Sequence, residues 1–288
     1  MNQRKGIILA GGTGSRLFPV TLGNSKQLLP IYDKPMIYYS LSVLMSSQIK
    51  EVLVISNPEY INLYRNLLSD GHQWGINIDY IEQNSPDGIA QAYLLAENFL
   101  NGYPSALILG DNFFYGGSLV NLLRVANSKI GGASIFGYEV SDPIRYGVIS
   151  FDEKNNPMKI TEKPKEPDSN IAVTGLYFFD EKASERAKTL SPSQRGELEI
   201  TSLLEIYLRE KTLDIHVLKN GNAWLDMGTH ENLLDASNYV RTLQKRQGLL
   251  IGSPDAIAYQ NRWISKRDLK VLAANYRHTD YGQLLLGL

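Results

Sequence analysis

The chain has 288 residues, 43% of them hydrophobic and 20% charged, enough apolar material for a sizeable core in one large or two small domains. Twenty-nine basic residues nearly cancel thirty acidic ones, which argues against broad electrostatic binding to nucleic acid or an anionic membrane. The chain contains no cysteine, so disulfides, zinc–thiolate sites, thiol catalysis and iron–sulfur clusters are excluded.

The polar start Met1-Asn2-Gln3-Arg4-Lys5 leads into an apolar run that ends at Gly11. That run is too short for a membrane span or a signal-peptide core, so a cytoplasmic protein is expected. Residues 6–10 form a compact apolar stretch closed by Gly11-Gly12 and read as a buried strand. Similar stretches at 51–56, 77–82 and 105–110 alternate with helical patterns at 36–45, 61–68 and 90–100. Pro35 is expected in the first turn of the first helix. This alternation predicts an α/β fold, a Rossmann-like and mostly parallel sheet with helices on both faces. Beyond residue 130 the stretches 133–140, 146–151, 157–163 and 171–179 read as strands of a mixed sheet, an added β layer. Helices are expected at 181–189 and 199–211, and a long one at 230–247 with Thr229 as its N-cap. Residues 253–288 lack a clear period and read as small packed helices.

Chemistry concentrates first in Leu9-Ala10-Gly11-Gly12-Thr13-Gly14-Ser15-Arg16-Leu17. Three glycines in four positions let the backbone turn tightly and present amides to phosphate. A Walker A loop would need Gly-Lys-Ser/Thr where Gly14-Ser15-Arg16 stands, and a dinucleotide fingerprint would need glycine at Leu17. What remains is a phosphate loop flanked by two cations, Arg16 and Lys26, suited to a polyphosphate. Asp111 lies just past a buried strand, at the edge where open α/β sheets bind ligands. Its hard carboxylate suits Mg²⁺. Asp226, shortly before the long helix, is a second candidate. The polar loop Glu82 to Gly88 has groups able to read the edge of a base. Arg145-Tyr146-Gly147 and Glu162-Lys163-Pro164 have groups for sugar hydroxyls and a phosphate. In a regular strand Glu162 and Lys163 would face opposite ways, unless Pro164 ends the ladder. Taken singly, each of these residues also has an ordinary structural reading. The four histidines show no ligand spacing.

Together these segments resemble the sugar-nucleotide pyrophosphorylases, and among them the glucose-1-phosphate thymidylyltransferases. The resemblance rests on the glycine loop, Lys26 to Tyr39, Ser85 to Ala92, Glu162-Lys163-Pro164-Lys165 and Arg195 to Thr201. It implies transfer of a thymidylyl group from dTTP to α-D-glucose 1-phosphate, with Mg²⁺ as cofactor. It further implies a homotetramer at the first step of dTDP-L-rhamnose or related deoxysugar synthesis. By the same resemblance Leu9, Gly11, Gln27, Gln83 and Gly88 hold the thymidine. Gly14, Ser15, Arg16 and Lys26 hold the triphosphate, Arg16 and Lys26 as catalytic cations. Asp111 and Asp226 bind the metal, Asp111 also counting as a nucleotide contact. Tyr146, Gly147, Glu162, Lys163 and Val173 hold the sugar phosphate.

Residues 1–250 are expected to form the catalytic domain, with a nucleotide half at about 1–130 and a sugar-binding half at about 131–229. The helical segment 251–288 is expected to supply oligomer or allosteric contacts. Several residues depart from the resembling pattern. Ser15 replaces a loop threonine but keeps the hydroxyl, Ser40 stands where proline is usual, Met227 where threonine is usual, Ala256 where an acid of a feedback site is usual, and Gln260 where an arginine of that site is usual. The last change implies weak feedback inhibition. Competing expectations are the same chemistry on another nucleotide or hexose phosphate, and a binding protein without turnover. Pyrophosphate release separates them.

Overall fold

The computed structural model describes residues 4–288. The first half runs β1 (Lys5–Leu9), β2 (Pro30–Ile31), β3 (Lys34–Pro35), α1 (Met36–Ser46), β4 (Glu51–Ser56), α2 (Ile61–Leu68) and β5 (Asn77–Glu82). It continues through α3 (Gln91–Leu95), α4 (Glu97–Leu100), β6 (Ser105–Leu109), β7 (Asn112–Gly116) and α5 (Leu119–Ser128). The second half holds β8 (Ala133–Glu139), β9 (Gly147–Phe151), β10 (Pro157–Glu162), β11 (Ile171–Phe179), α6 (Ala183–Ala187), α7 (Ile200–Arg209), β12 (Leu213–Leu218) and β13 (Asn222–Asp226). The long α8 (His230–Gln247) and three short helices follow, α9 (Pro254–Gln260), α10 (Lys266–Ala274) and α11 (Asp280–Leu286).

Nine strands form one sheet whose parallel centre is ordered β6-β1-β4-β5. β11 joins β6 in antiparallel fashion, and β8 and then β12 extend the sheet beyond it. The β9–β10 hairpin attaches to the start of β11 through Val148 and Ala172. The mostly parallel α/β sheet and its mixed extension are therefore as expected.

Strand alternation divides the core between two faces. Ile8, Val52, Val54 and Ile108 pack on one face with Ile37, Leu41 and Leu44 of α1. Ile7, Leu53, Ile55 and Leu107 pack on the other with Tyr93 of α3 and Leu203, Leu204 and Tyr207 of α7. Buried on both faces, these strands read as continuous apolar runs.

Several elements differ from expectation. Pro35 is the extended residue before α1, at ψ 143°, rather than a residue of its first turn. The single helix expected over 90–100 is two short ones that meet at Ala96. The helices expected at 181–189 and 199–211 are shorter, at Ala183–Ala187 and Ile200–Arg209. α5, β12 and β13 were not anticipated, nor were β7 and the small β2–β3 hairpin. Thr229 does cap α8, its side chain accepting from the Asn232 amide at 3.2 Å. The 253–288 tail is helical, packed through Leu269, Ala273, Tyr281 and Leu285.

Candidate active site

The parallel strands β1 and β6 end side by side, and each releases a loop at that edge. The loop after β1 needs left-handed backbone at Gly12 (φ 95°) and Gly14 (φ 61°), where glycine is strain-free. Asn57 brackets it, accepting from the Gly12 amide at 3.1 Å and donating to the Gly12 carbonyl. Thr21 Oγ1 donates to the Gly14 carbonyl at 2.8 Å. A short 3₁₀ turn, Ser15–Leu17, then anchors Leu17 in the core and leaves Arg16 exposed at the surface of the loop.

A second 3₁₀ turn, Lys26–Leu28, brings in Lys26, which is only 9% exposed. Its Nζ is ion-paired with Asp111 in the loop between β6 and β7. Asn112 Nδ2 donates to the same carboxylate at 3.0 Å. Burial pushes the Asp111 carboxyl up, but the charge and hydrogen bond of Lys26 and the bond from Asn112 outweigh it and hold it below its ordinary range. Asn112 is itself fixed, its Oδ1 accepting from the Gly175 amide (3.0 Å) and the Trp224 indole (2.6 Å).

β7 and β13 pair only with each other, and their register sets Asp226 opposite Asn112. The Met227 amide donates to the Asp111 carbonyl at 3.0 Å. The two acidic residues are thus neighbours across one ladder. Burial, then the charge of Asp111, raises the Asp226 carboxyl, with Lys26, Arg16 and Arg145 opposing. Two carboxylates crowded this way form a hard oxygen donor pair that favours a cation between them. Among the described residues no group of three His, Asp or Glu converges on a metal position. A pair is what Mg²⁺ ordinarily takes when phosphate oxygens and water complete its shell. Met227 is fully buried, packed with Ala236 and Val240 of α8.

Two cavities open here. The smaller, about 230 Å³, is lined by the glycine loop with Arg16, Lys26, Gln27, Asp111 and Gly228. The larger, about 660 Å³, is walled by Tyr146, Gly147, Glu162, Lys163, Val173 and Asp226 among others. Ser15, Arg16 and Asp111 line both. Lys163 has φ 41°, which ends β10 and turns its side chain out of the alternation, so Glu162 and Lys163 both reach the larger cavity. The backbone bend sits at Lys163 itself, one residue before the proline expected to cause it.

The structure therefore brings Gly11, Gly14, Ser15, Arg16, Lys26, Gln27, Asp111, Asp226, Tyr146, Gly147, Glu162, Lys163 and Val173 to two adjoining cavities. Leu9, Gln83 and Gly88 line neither. Leu9 packs on the core face beside the glycine loop. Gln83 is buried with its Oε1 against Gly11, where an added Cβ would lie 2.1 Å away. Gly88 (φ 110°) abuts the Leu198 backbone, tying the 82–88 loop to the 195–201 motif.

The larger cavity also contains side chains that were recognised only as parts of motifs, or not at all. Arg145, Asn112, Trp224, Thr201 and Arg195 line it. Arg195 bridges Glu197 (2.8 Å), Glu199 (3.4 Å) and Glu162 (3.7 Å). An arginine followed by two acids in alternate positions is the signal that marks it. Burial, then Glu199, pushes the Glu162 carboxyl up, against Lys163, the Thr201 hydroxyl and Arg195.

A glycine loop with two cations, a carboxylate pair and a second, sugar-sized cavity at one sheet edge define a nucleotide-dependent group-transfer site. Comparison with known proteins places it. The nucleotidyl transferase family model matches residues 5–242. The chain is 54% identical over 288 residues to glucose-1-phosphate thymidylyltransferase of Xanthomonas campestris pv. campestris, covering 100% of this chain and 98% of that protein. It is 51% identical to the enzyme of the same name from Neisseria gonorrhoeae over 284 residues, 99% of each. A Bacillus anthracis structure named as a glucose-1-phosphate thymidylyltransferase, in complex with sucrose, superposes with TM-score 0.76 at 39% identity, covering 83% of this chain and 95% of that one. A UDP-glucose pyrophosphorylase with UDP-glucose shares the fold, with TM-score 0.72 at 24% identity over 83% of this chain and 99% of that one. The chain belongs to the nucleotidyl transferase family, in its glucose-1-phosphate thymidylyltransferase branch.

Proposed function

We propose that this chain transfers a thymidylyl group from dTTP to α-D-glucose 1-phosphate, giving dTDP-glucose and pyrophosphate. The observation that carries the reading is the shared wall: Ser15, Arg16 and Asp111 face both cavities. A triphosphate in the smaller cavity and a sugar phosphate in the larger would meet there.

The sugar phosphate has a second pKa near ~6, so its attacking oxygen is already largely anionic at neutral pH and needs no general base. That oxygen bonds to the α-phosphorus as the bond to the β-phosphate oxygen breaks, and pyrophosphate leaves as an anion. The obstacle is bringing a dianion onto a polyanion in line, so positioning and charge neutralisation supply the rate. Arg16 and Lys26 neutralise the triphosphate, and Lys163 orients the incoming phosphate. Glu162 and Tyr146 hold the sugar. Asp111 and Asp226 would hold Mg²⁺, which when bound adds positive charge at the phosphates.

The same reading covers the thymidine contacts of Leu9, Gly11, Gln27, Gln83 and Gly88, a cytoplasmic homotetramer, a role in dTDP-deoxysugar synthesis and the domain division at residue 250. Feedback by the pathway end product would be weak. Gln260, the last residue of α9, supplies no charge where the resembling pattern has an arginine. Loss of one charge-assisted bond, about 1.5–3 kcal/mol, weakens an effector roughly 10–100-fold, and Gln260→Arg should recover part of it in an inhibition curve with dTDP-rhamnose.

The test of the function is pyrophosphate release from each of four nucleotides with several sugar phosphates. Highest kcat/KM with dTTP and glucose 1-phosphate is expected. A clear preference for another pair would replace the reading.

A further inference from the structure

Gln83 and Gln91 each have a carboxamide that could present either its oxygen or its NH₂ group, and their partners decide which. The deciding group is a backbone amide, which cannot reverse its polarity. The Asp87 N–H points at Gln91 at 3.1 Å, so the atom receiving it is Oε1. Gln91 Nε2 then donates to Asp87 Oδ2 at 2.9 Å, consistent with that orientation. With Gln91 Oε1 fixed as an acceptor, the Gln83 atom 2.6 Å from it must be Nε2. The other end of the Gln83 amide, Oε1, therefore lies over Gly11, close enough that a Cβ there would sit 2.1 Å away. Gly11 is part of the wall of the smaller cavity. Among the described residues Gln83 Oε1 accepts no hydrogen bond from the protein, although the side chain is only 3% exposed.

We propose that Gln91 is a positioning residue that sets base selectivity by holding Gln83 with its acceptor toward the nucleotide. This rests on the thymidylyl-transfer reading above and adds to it a device that chooses the base. A pyrimidine with an N3–H, as in thymine or uracil, donates to a fixed carbonyl oxygen. Cytosine presents a lone pair at N3, so the bond is lost and two acceptors face each other. A freely rotating Gln83 would turn over to serve cytosine with its NH₂ group. The relay from the Asp87 backbone through Gln91 prevents that turn. Sites built around a required hydrogen bond discriminate far better than apolar pockets, because the wrong ligand leaves a buried group unpaired.

The experiment measures dissociation constants for dTTP and dCTP by calorimetry on the full chain, with kcat/KM for both nucleotides alongside. In Gln91→Leu, which removes both ends of the relay, the dTTP-to-dCTP affinity ratio should fall at least ~10-fold, with dTTP weakened and dCTP strengthened. The KM for glucose 1-phosphate should not change. General loosening of the loop would weaken both nucleotides alike and leave the ratio intact. The double variant Gln91→Glu/Asp87→Asn keeps an acceptor facing Gln83 Nε2 and should retain the wild-type preference. If Gln91→Leu does not fold, Gln91→Met serves with the same expectation. An unchanged ratio in the folded single variant, or a lost preference in the double, overturns the proposal. A wild type that binds dTTP selectively but releases no pyrophosphate counts against the functional reading alone, since the affinities still test the relay.

Discussion

In the proposed reading the smaller cavity is the nucleotide side of the site and the larger the sugar side, and the two are built from different materials. The nucleotide side is mostly backbone from one continuous stretch, residues 9–17, shaped by positive φ at Gly12 and Gly14 and held by Asn57 and Thr21. The sugar side is mostly side chains from β9, β10, β11, β13 and α7, with an ion network of Glu162, Lys163, Arg195 and Glu199. A backbone cradle suits a ligand part that always bears the same phosphates. A side-chain wall suits the part whose hydroxyls must be told apart.

The sharpest break in this contrast lies at the carboxylates. Asp111→Ala and Asp226→Ala should each lower kcat by roughly 10²–10³-fold, about 3–4 kcal/mol of transition-state stabilisation. In Asp111→Ala, Lys26 also loses a buried partner, so a melting curve must accompany the rate. Near-wild-type turnover in a folded variant would remove that residue from the reaction centre.

Lys163→Ala tests whether the sides act separately. The KM for glucose 1-phosphate should rise by ~10-fold or more, as for loss of one charge-assisted bond, while the KM for dTTP moves little. A larger shift for dTTP would place Lys163 on the wrong side.

These two tests also mark where the sequence was legible. The glycine loop and Asp111 stand at the ends of apolar runs, and Lys26 follows the loop within ten residues of Arg16, so their chemistry and their place coincide. The sugar side lies scattered over some eighty positions, and Arg195 and Trp224 acquire meaning only when α7 and β13 fold against β9 and β11. β7 was hidden because only Gly110 and Asp111 separate it from β6, so 105–116 resembles one apolar stretch. β12 is an edge strand with exposed Asp214 as its second residue, which weakens its pattern. Strand alternation would part Glu162 from Lys163, and the left-handed turn at Lys163 that brings both to one cavity is a conformation that no composition rule would give to lysine.

Glu162 gives a pH test of the sugar side. Its carboxyl is raised by burial and by Glu199, so the native state holds that proton at pH values where the unfolded chain, with an ordinary carboxylate near ~4.3, has released it. Through Glu162, stability therefore falls as pH rises across that window. Glu162→Gln removes the contribution. Its Tm should exceed the wild type at pH 7, and the gain should vanish below pH ~4, while the KM for the sugar phosphate rises. A variant less stable than wild type at pH 7 would show that Arg195 and Lys163 stabilise the ionised form more than burial opposes it.

The smallest effect is expected at Ser40, fully buried on α1, whose hydroxyl lies 3.1 Å from the Leu109 carbonyl and 3.4 Å from that of Asn112. Ser40→Ala should cost about 1 kcal/mol in a denaturant titration, the usual worth of one hydrogen bond. It should leave the KM for glucose 1-phosphate unchanged, which would separate support of the loop from contact with the sugar.

The pairing of β7 with β13 places the span between the two acids under the control of a ladder rather than of loop lengths. Side chains on a strand alternate, so a single uncharged residue inserted between Ala223 and Leu225 would carry Asp226 to the opposite face while leaving the net charge untouched. The turn at Lys219 to Gly221, just before the strand, is exposed, and an insertion there would lie outside the ladder. Over evolutionary time the turn is free to change in length, whereas the five residues after it can be exchanged one for another but not counted differently.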